Sequence, residues 1–191
     1  ELTLIYGPGA SGKTTFCLVL ICDMLRRNKK VVYIDTENGF SIERFMQICG
    51  TGYLLMLDRL LILKANNFED QCKKIDKLIN FVNIDLVIID SLGALYRKEV
   101  KDNHNEVNRK MDRQLRILTE MTRRNVPVVV TNQVYTNPEN GEIKIVGGNM
   151  VKNWVKCLIE LEKEPRKIIL KKEQEEKILF EIVDEGIKLL P

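Results

Sequence analysis

The sequence predicts an α/β fold: a mostly parallel, twisted sheet with helices on both faces, and antiparallel strands added at its C-terminal edge. Three observations lead there. A short apolar run, Leu2 to Tyr6, enters the glycine-rich stretch GPGASGKTTF (Gly7 to Phe16), and a helical pattern follows. Strand-like and helix-like segments then alternate over about two-thirds of the chain, as a parallel sheet with crossover helices requires. Near Cys157 the pattern changes to closely spaced apolar runs, which reads as antiparallel pairing at one edge.

Each element has its own justification. Leu2 to Tyr6 is a short, mostly apolar run and reads as a buried strand. Lys13 to Arg27 places Phe16, Leu20 and Met24 at spacing four, a helical stripe, and Lys29 and Lys30 end it. VVYID (Val31 to Asp35) is β-branched and apolar, a second buried strand. SIERFMQICG predicts a helix capped by Ser41 and closed by Gly50. LLILKA predicts a third strand. Asn67 to Val82 is helical, with Cys72, Ile75, Leu78, Ile79 and Val82 on one face. LVIID (Leu86 to Asp90) is the most strand-like segment of all. Asn103 to Arg124 is a long amphipathic helix whose stripe is Val107, Met111, Leu115, Leu118 and Met121, and VPVVVTNQV is a further buried strand. CLIELEK, KIILKK and ILFEIV complete the sheet, with a turn signal at Glu164-Pro165 between the first two.

Composition narrows the class. With 191 residues, 45% hydrophobic and 30% charged, the chain suits one domain over residues 1–191 with a sizeable core. It starts without methionine and enters a strand almost at once, which leaves room for upstream residues. The net charge of +3 is too small to mark a nucleic-acid binder by itself, and the interleaved lysines and glutamates read as a solvated surface. Cys17, Cys22, Cys49, Cys72 and Cys157 form no C-x-x-C pair; they predict buried free thiols in a reducing cytoplasm. No apolar run approaches the ~20 residues that span a bilayer. The lone His104, in the polar stretch KDNHNE, reads as a surface residue, and Trp154 as core packing.

The glycine loop carries the most specific chemistry. G-x-x-x-x-G-K-T between a strand and a helix lets backbone N–H groups close around phosphate oxygens, aided by the helix N-terminus. Gly7, Pro8, Gly9, Ala10, Ser11, Gly12, Lys13, Thr14 and Thr15 form the predicted nucleotide cradle. Lys13 would reach the β- and γ-phosphates, and the Thr14 hydroxyl would ligate Mg²⁺. Asp90 ends a strand where such sheets place the carboxylate that holds Mg²⁺, often through water. Ser91 beside it reads equally as a cap for the next turn. Glu37, just past the end of VVYID, stands where a carboxylate could activate an attacking water. Gln133, past VVVTN, could report whether a γ-phosphate is present, since an amide both donates and accepts. By spacing alone, either residue could equally be a solvated loop position.

Taken in order, GxxxxGKT, DTENGFSIER, LVIIDS, a long helix with RQLRIL, PVVVTNQVY and GGN resemble the RecA-type recombinase ATPases, a P-loop NTPase family. The resemblance runs from about Leu2 to Gly186, includes IVDEGIKLL, and is strongest to the family's short archaeal members. It implies ATP and Mg²⁺ as cofactors, with Lys13, Thr14 and Asp90 in their usual roles and Glu37 as catalytic glutamate. It further implies that Arg44, in F-x-x-E-R, stacks on adenine, and that Gln133 links the γ-phosphate to a DNA-binding loop followed by the glycines Gly147 and Gly148. The two DNA loops would correspond to Tyr96–Asn105 and Val134–Val146, with Arg97, Lys98, Lys101, Tyr135 and Lys144 as contact candidates. The second loop has one lysine and two glutamates, so DNA binding, single-stranded DNA first, rests on the resemblance rather than on charge. Tyr96 and Tyr135 are candidates for base stacking, or structural residues flanking turns.

The resemblance also implies partners: the recombinase RadA, a Holliday-junction resolvase or the replicative polymerase, and self-association. An N-terminal helical DNA-binding domain and a docking linker, both found in full recombinases, are not visible in this sequence. The expectation is therefore a recombination mediator with weak, DNA-coupled ATP hydrolysis. Rival readings are an ATP-gated recruitment module without turnover, a regulatory ATPase outside DNA metabolism, and a small-molecule kinase. The kinase reading calls for an arginine-rich lid, for which the sequence offers no candidate.

Overall fold

The structure, a computed structural model, describes residues 1–100, 104–136, 143–171 and 174–191. The chain runs β1 (Leu2–Gly7), α1 (Lys13–Arg26), β2 (Val31–Asp35), α2 (Ile42–Cys49), a 3₁₀ segment (Tyr53–Arg59), β3 (Leu60–Lys64), α3 (Phe68–Leu78) and β4 (Leu86–Asp90). It continues through α4 (Gly93–Glu99), α5 (His104–Arg123), β5 (Val128–Thr136), β6 (Ile143–Ile145), α6 (Gly148–Lys152), β7 (Cys157–Lys163), β8 (Arg166–Lys171), β9 (Glu176–Val183) and β10 (Gly186–Leu189).

The sheet order is β10-β9-β8-β7-β1-β5-β4-β2-β3, with β6 paired to β5. From β3 to β7 every neighbour is parallel. From β7 to β10 every neighbour is antiparallel. The expected antiparallel edge is therefore present, with one correction: CLIELEK itself runs parallel to β1 and is the hinge between the two regimes. The strand β10 extends the edge further than the apolar pattern suggests, because half of GIKL points away from the core.

Alternation along the central strands makes two cores. Val32, Ile34, Val87, Ile89, Leu2, Leu4, Val128 and Val130 face one side, against α3, α4 and α5. Val31, Tyr33, Leu86, Ile88 and Ile5 face the other, against α1 and α2. Burial on both faces is why these strands read as continuous apolar runs. In α5 the stripe residues Met111, Leu115 and Leu118 are completely buried, at about 1.5–3 kcal/mol each of transfer free energy.

Local chemistry sets several boundaries. Ser41 Oγ accepts from Arg44 N at 3.1 Å, so the expected cap of α2 is there. Asn67 Oδ1 accepts from Asp70 N at 2.8 Å and caps α3, which ends at Leu78, short of the expected Val82. The segment read as an open loop from Tyr96 instead contains most of α4, whose Tyr96 is 7% exposed and packs edge-on against Phe68. Tyr96 also donates to Asn108 Oδ1 at 2.7 Å, so its side chain is structural.

A second correction concerns sulfur. Cys22 and Cys49 form a disulfide between α1 and the last turn of α2, with Cα atoms 5.4 Å apart. The two helices lie side by side on one face, and no sequence spacing announces that contact. Cys17, Cys72 and Cys157 are free thiols. Trp154 packs against the α5 side of the core, as expected, and its indole N–H donates to Asp112 at 3.1 Å. Among the described residues no helix is long and apolar enough to cross a membrane.

Candidate functional site

The parallel strands β1, β2, β4 and β5 bring four chain segments together at their C-terminal ends, the usual place for ligands in open α/β sheets. Register does the placing: Gly7 is level with Gln133, and Asp35 with Asp90.

The loop between β1 and α1 is built around left-handed residues, Ala10 at φ 60° and Gly12 at φ 105°. A Cβ at Gly12 would be strained by that conformation and would press on Ile182, so glycine is required. The first turn of α1 leaves N–H groups without intrahelical partners, directed at the loop. Ser11 Oγ is buried in the loop without a hydrogen-bond partner. Lys13 Nζ folds back onto the loop, donating to Gly7 O at 3.0 Å and Pro8 O at 2.7 Å. Burial lowers the Lys13 pKa, against the opposing pull of Asp90 and Glu37. Arg166, at the start of β8, donates to Ala10 O at 3.1 Å and braces the loop from outside; nothing in the sequence pointed to it.

Thr14 and Asp90, the expected magnesium pair, are in contact: Thr14 Oγ1 donates to Asp90 Oδ2 at 2.7 Å. Asp90 also accepts from Tyr33 OH at 2.8 Å and from Thr131 Oγ1 at 2.5 Å. Three hydroxyls thus hold a buried carboxylate in place, and burial with the nearby Asp90 charge drives the Tyr33 phenol far upward. Among the described residues no group of three or more His, Cys, Asp or Glu side chains could by itself hold a metal. A hydroxyl and one carboxylate beside a phosphate cradle fit Mg²⁺, which keeps several waters and takes further oxygens from phosphates.

At the end of β2, Asp35 is buried and accepts from Glu37 N, Gly39 N and Phe40 N, at 3.2, 3.1 and 3.1 Å. It shapes the loop that carries Glu37. The Glu37 carboxylate is held twice: Ser91 Oγ donates to Oε1 at 2.5 Å, and Gln133 Nε2 donates to Oε2 at 2.7 Å. The capping alternative for Ser91 is excluded, because α4 begins with no side-chain cap bond. Gln133 is tied to the following loop through its backbone, since Val146 N donates to Gln133 O at 3.2 Å. Asn132 Nδ2 donates to Val146 O at 2.8 Å beside it. Asp35, Thr36, Tyr33, Thr131 and Asn132 are the residues that sequence reasoning passed over.

The Arg44 guanidinium donates to Val183 O at 2.6 Å, Asp184 O at 3.1 Å and Gln47 Oε1 at 2.9 Å. These bonds use its edges and lock its plane to the turn between β9 and β10. Of the DNA-contact candidates, Arg97 and Lys98 project from α4, and Arg97 stacks over Tyr135 at 5.7 Å. Lys144 lies in β6, opposite Tyr135. Lys101 falls outside the described residues, as does part of the second expected loop. A cavity of about 460 Å³ is lined by Glu37, Ala94, Arg97, Lys98 and Gln133, so basic side chains of α4 and the candidate catalytic pair share one space. A second, of about 370 Å³, lies between Arg97, Val100, Tyr135 and the glycines Gly147 and Gly148.

A phosphate loop, a buried strand-end aspartate and a glutamate–glutamine pair on this strand order define a RecA-type domain, a fold that implies nucleotide binding, typically with Mg²⁺. The RecA N-terminal domain family matches residues 1–185. Relatives called "DNA repair and recombination protein RadB" include one from Methanococcus maripaludis strain C7, 36% identical over 99% of this chain and 92% of its own. The Methanocaldococcus jannaschii relative of the same name is 35% identical over 99% and 93%. A solved structure titled "Crystal structure of the RadB recombinase" superposes with a TM-score of 0.82, at 33% identity, covering 97% of this chain and 89% of that one. The chain belongs to the RadB family of RecA-type proteins.

Proposed function

We propose that this DNA repair and recombination protein is an ATP-responsive, DNA-binding mediator, with slow ATP hydrolysis coupled to DNA. The observation that carries the reading is the bond between Gln133 and Glu37. One side chain of the pair could sense a γ-phosphate and the other could activate water, and Gln133 is fixed by its backbone to the loop ending at Val146.

In this reading Lys13 leaves the Gly7 and Pro8 carbonyls for the β- and γ-phosphates, and Ser11 gains a partner for its hydroxyl. Thr14 and Asp90 would hold Mg²⁺, which would supply charge neutralisation for the phosphate oxygens. Arg44 offers the face of a guanidinium locked at its edges, suited to stacking on adenine. Gln133 exchanges Glu37 for the γ-phosphate and pulls on the Val134–Val146 segment. Arg97, Lys98 and Tyr135 then meet single-stranded DNA, by charge and by stacking. Self-association has a candidate surface at the outer edge of β3, unpaired among the described residues, where Leu61 is 45% exposed and lines a shared hollow with Val82, 80% exposed.

The test is ATP turnover with and without single-stranded DNA, for wild type, Glu37→Gln and Gln133→Ala. DNA should stimulate the wild type, Glu37→Gln should lose about 100-fold or more, and Gln133→Ala should no longer respond to DNA. Negligible turnover in all three, with ATP still bound, would leave a nucleotide-gated recruitment module and remove the catalytic role from Glu37.

A further inference from the structure

Ser91 is completely buried at the junction of β4 and α4. Thr36 grips its backbone from both directions: Ser91 N donates to Thr36 Oγ1 at 2.8 Å, and Thr36 Oγ1 donates to Ser91 O at 2.7 Å. With its main chain fixed, the serine has one hydroxyl proton to give. That proton goes to Glu37 Oε1, across a gap of 54 residues in sequence.

The geometry matters because Glu37 sits on a loop. Asp35 fixes the loop's backbone by accepting from its N–H groups. Among the described residues two side chains donate to the Glu37 carboxylate, one on each oxygen. When Gln133 turns toward a phosphate, Oε2 is released into the 460 Å³ cavity, and the Ser91 bond to Oε1 still restrains the group. We propose that Ser91 is a positioning residue: it pins Oε1 so that Oε2, once Gln133 lets go, is directed at the attacking water. The proposal rests on the hydrolytic reading of Glu37 given above. Ser91 touches no reacting atom and acts through Glu37 alone.

The experiment is a double-mutant cycle on DNA-stimulated turnover with Ser91→Ala, Glu37→Gln and the double variant, alongside Kd for a fluorescent ATP analogue and a melting curve for each. Ser91→Cys, close to serine in size but a weak donor, repeats the test should the alanine variant not fold. Loss of a hydrogen bond to a charged group predicts a fall in kcat of about 10- to 100-fold for either Ser91 variant. ATP affinity should stay within about 2-fold. In the Glu37→Gln background, Ser91→Ala should cost nothing more, since residues that act as one unit do not add. The proposal is overturned if the Ser91 variants turn over like wild type, if their loss adds in full to that of Glu37→Gln, or if ATP affinity falls in parallel with kcat. A wild type that binds ATP but never turns it over, even with DNA, sinks the hydrolytic reading first and this proposal with it. An active wild type with an inactive Glu37→Gln leaves that reading standing, whatever Ser91 does.

Discussion

Lys13 is buried, at 8% exposure for the residue, and its ammonium has loop carbonyls as hydrogen-bond partners. Desolvation holds its folded pKa below the unfolded value, so the protonated form costs stability. That cost is present in full below the folded pKa and disappears only as pH rises through the unfolded one. At neutral pH, therefore, Lys13→Met should abolish nucleotide binding without lowering the melting temperature of the nucleotide-free protein. Calorimetry of the two proteins checks this, and a clear drop in melting temperature for the variant would contradict it. Legibility at this scale follows motif specificity. Lys13, Thr14 and Asp90 stand out as candidates in the sequence because each ends or follows a strand in a fixed pattern. Ser91, Thr36 and Asp35 do not, since a polar residue after a strand looks the same whether it solvates a loop or holds a neighbour.

Among the elements, long ones were readable and short ones were not. The C-terminal end of helix α5 lies within a residue of the expected one because its stripe, Val107 to Met121, persists for about four turns. Leu118 lies in its C-terminal half, fully buried among the helix and β-strand side chains of one core. Leu118→Ala should cost about 2–5 kcal/mol in urea unfolding, with no change in the denaturant slope. The helix α4 escaped notice because GALYRKE is seven residues long and opens on glycine. Its position depends on that glycine. A Cβ at Gly93 would run into the Asn132 side chain and into Val146, so Gly93→Ala should push α4 away from β5. Loss of DNA stimulation with ATP affinity kept would be the expected readout, because α4 carries Arg97 and Lys98 while the phosphate loop lies on other strands.

For the molecule as a whole, the Cys22–Cys49 bond clamps the helix that begins at Lys13 to the helix that carries Arg44. It closes a separation of 27 residues, for which chain entropy predicts about 3.5 kcal/mol of stabilisation. Reductant, or Cys22→Ala with Cys49→Ala, should then lower the melting temperature by roughly 7–14 °C. An unchanged melting curve in reductant would remove the bond from the account of stability. The parallel core has a different consequence, one for synthesis. β1 finds its partners only at Val128 and Cys157, so during translation the glycine loop emerges long before either flanking strand exists. Such distant pairing makes folding slow, and leaves unpaired strand edges open while it lasts. A nascent chain stalled before Cys157 would expose one whole side of β1, a natural landing place for a chaperone, and the glycine loop is made well before the strands that support it.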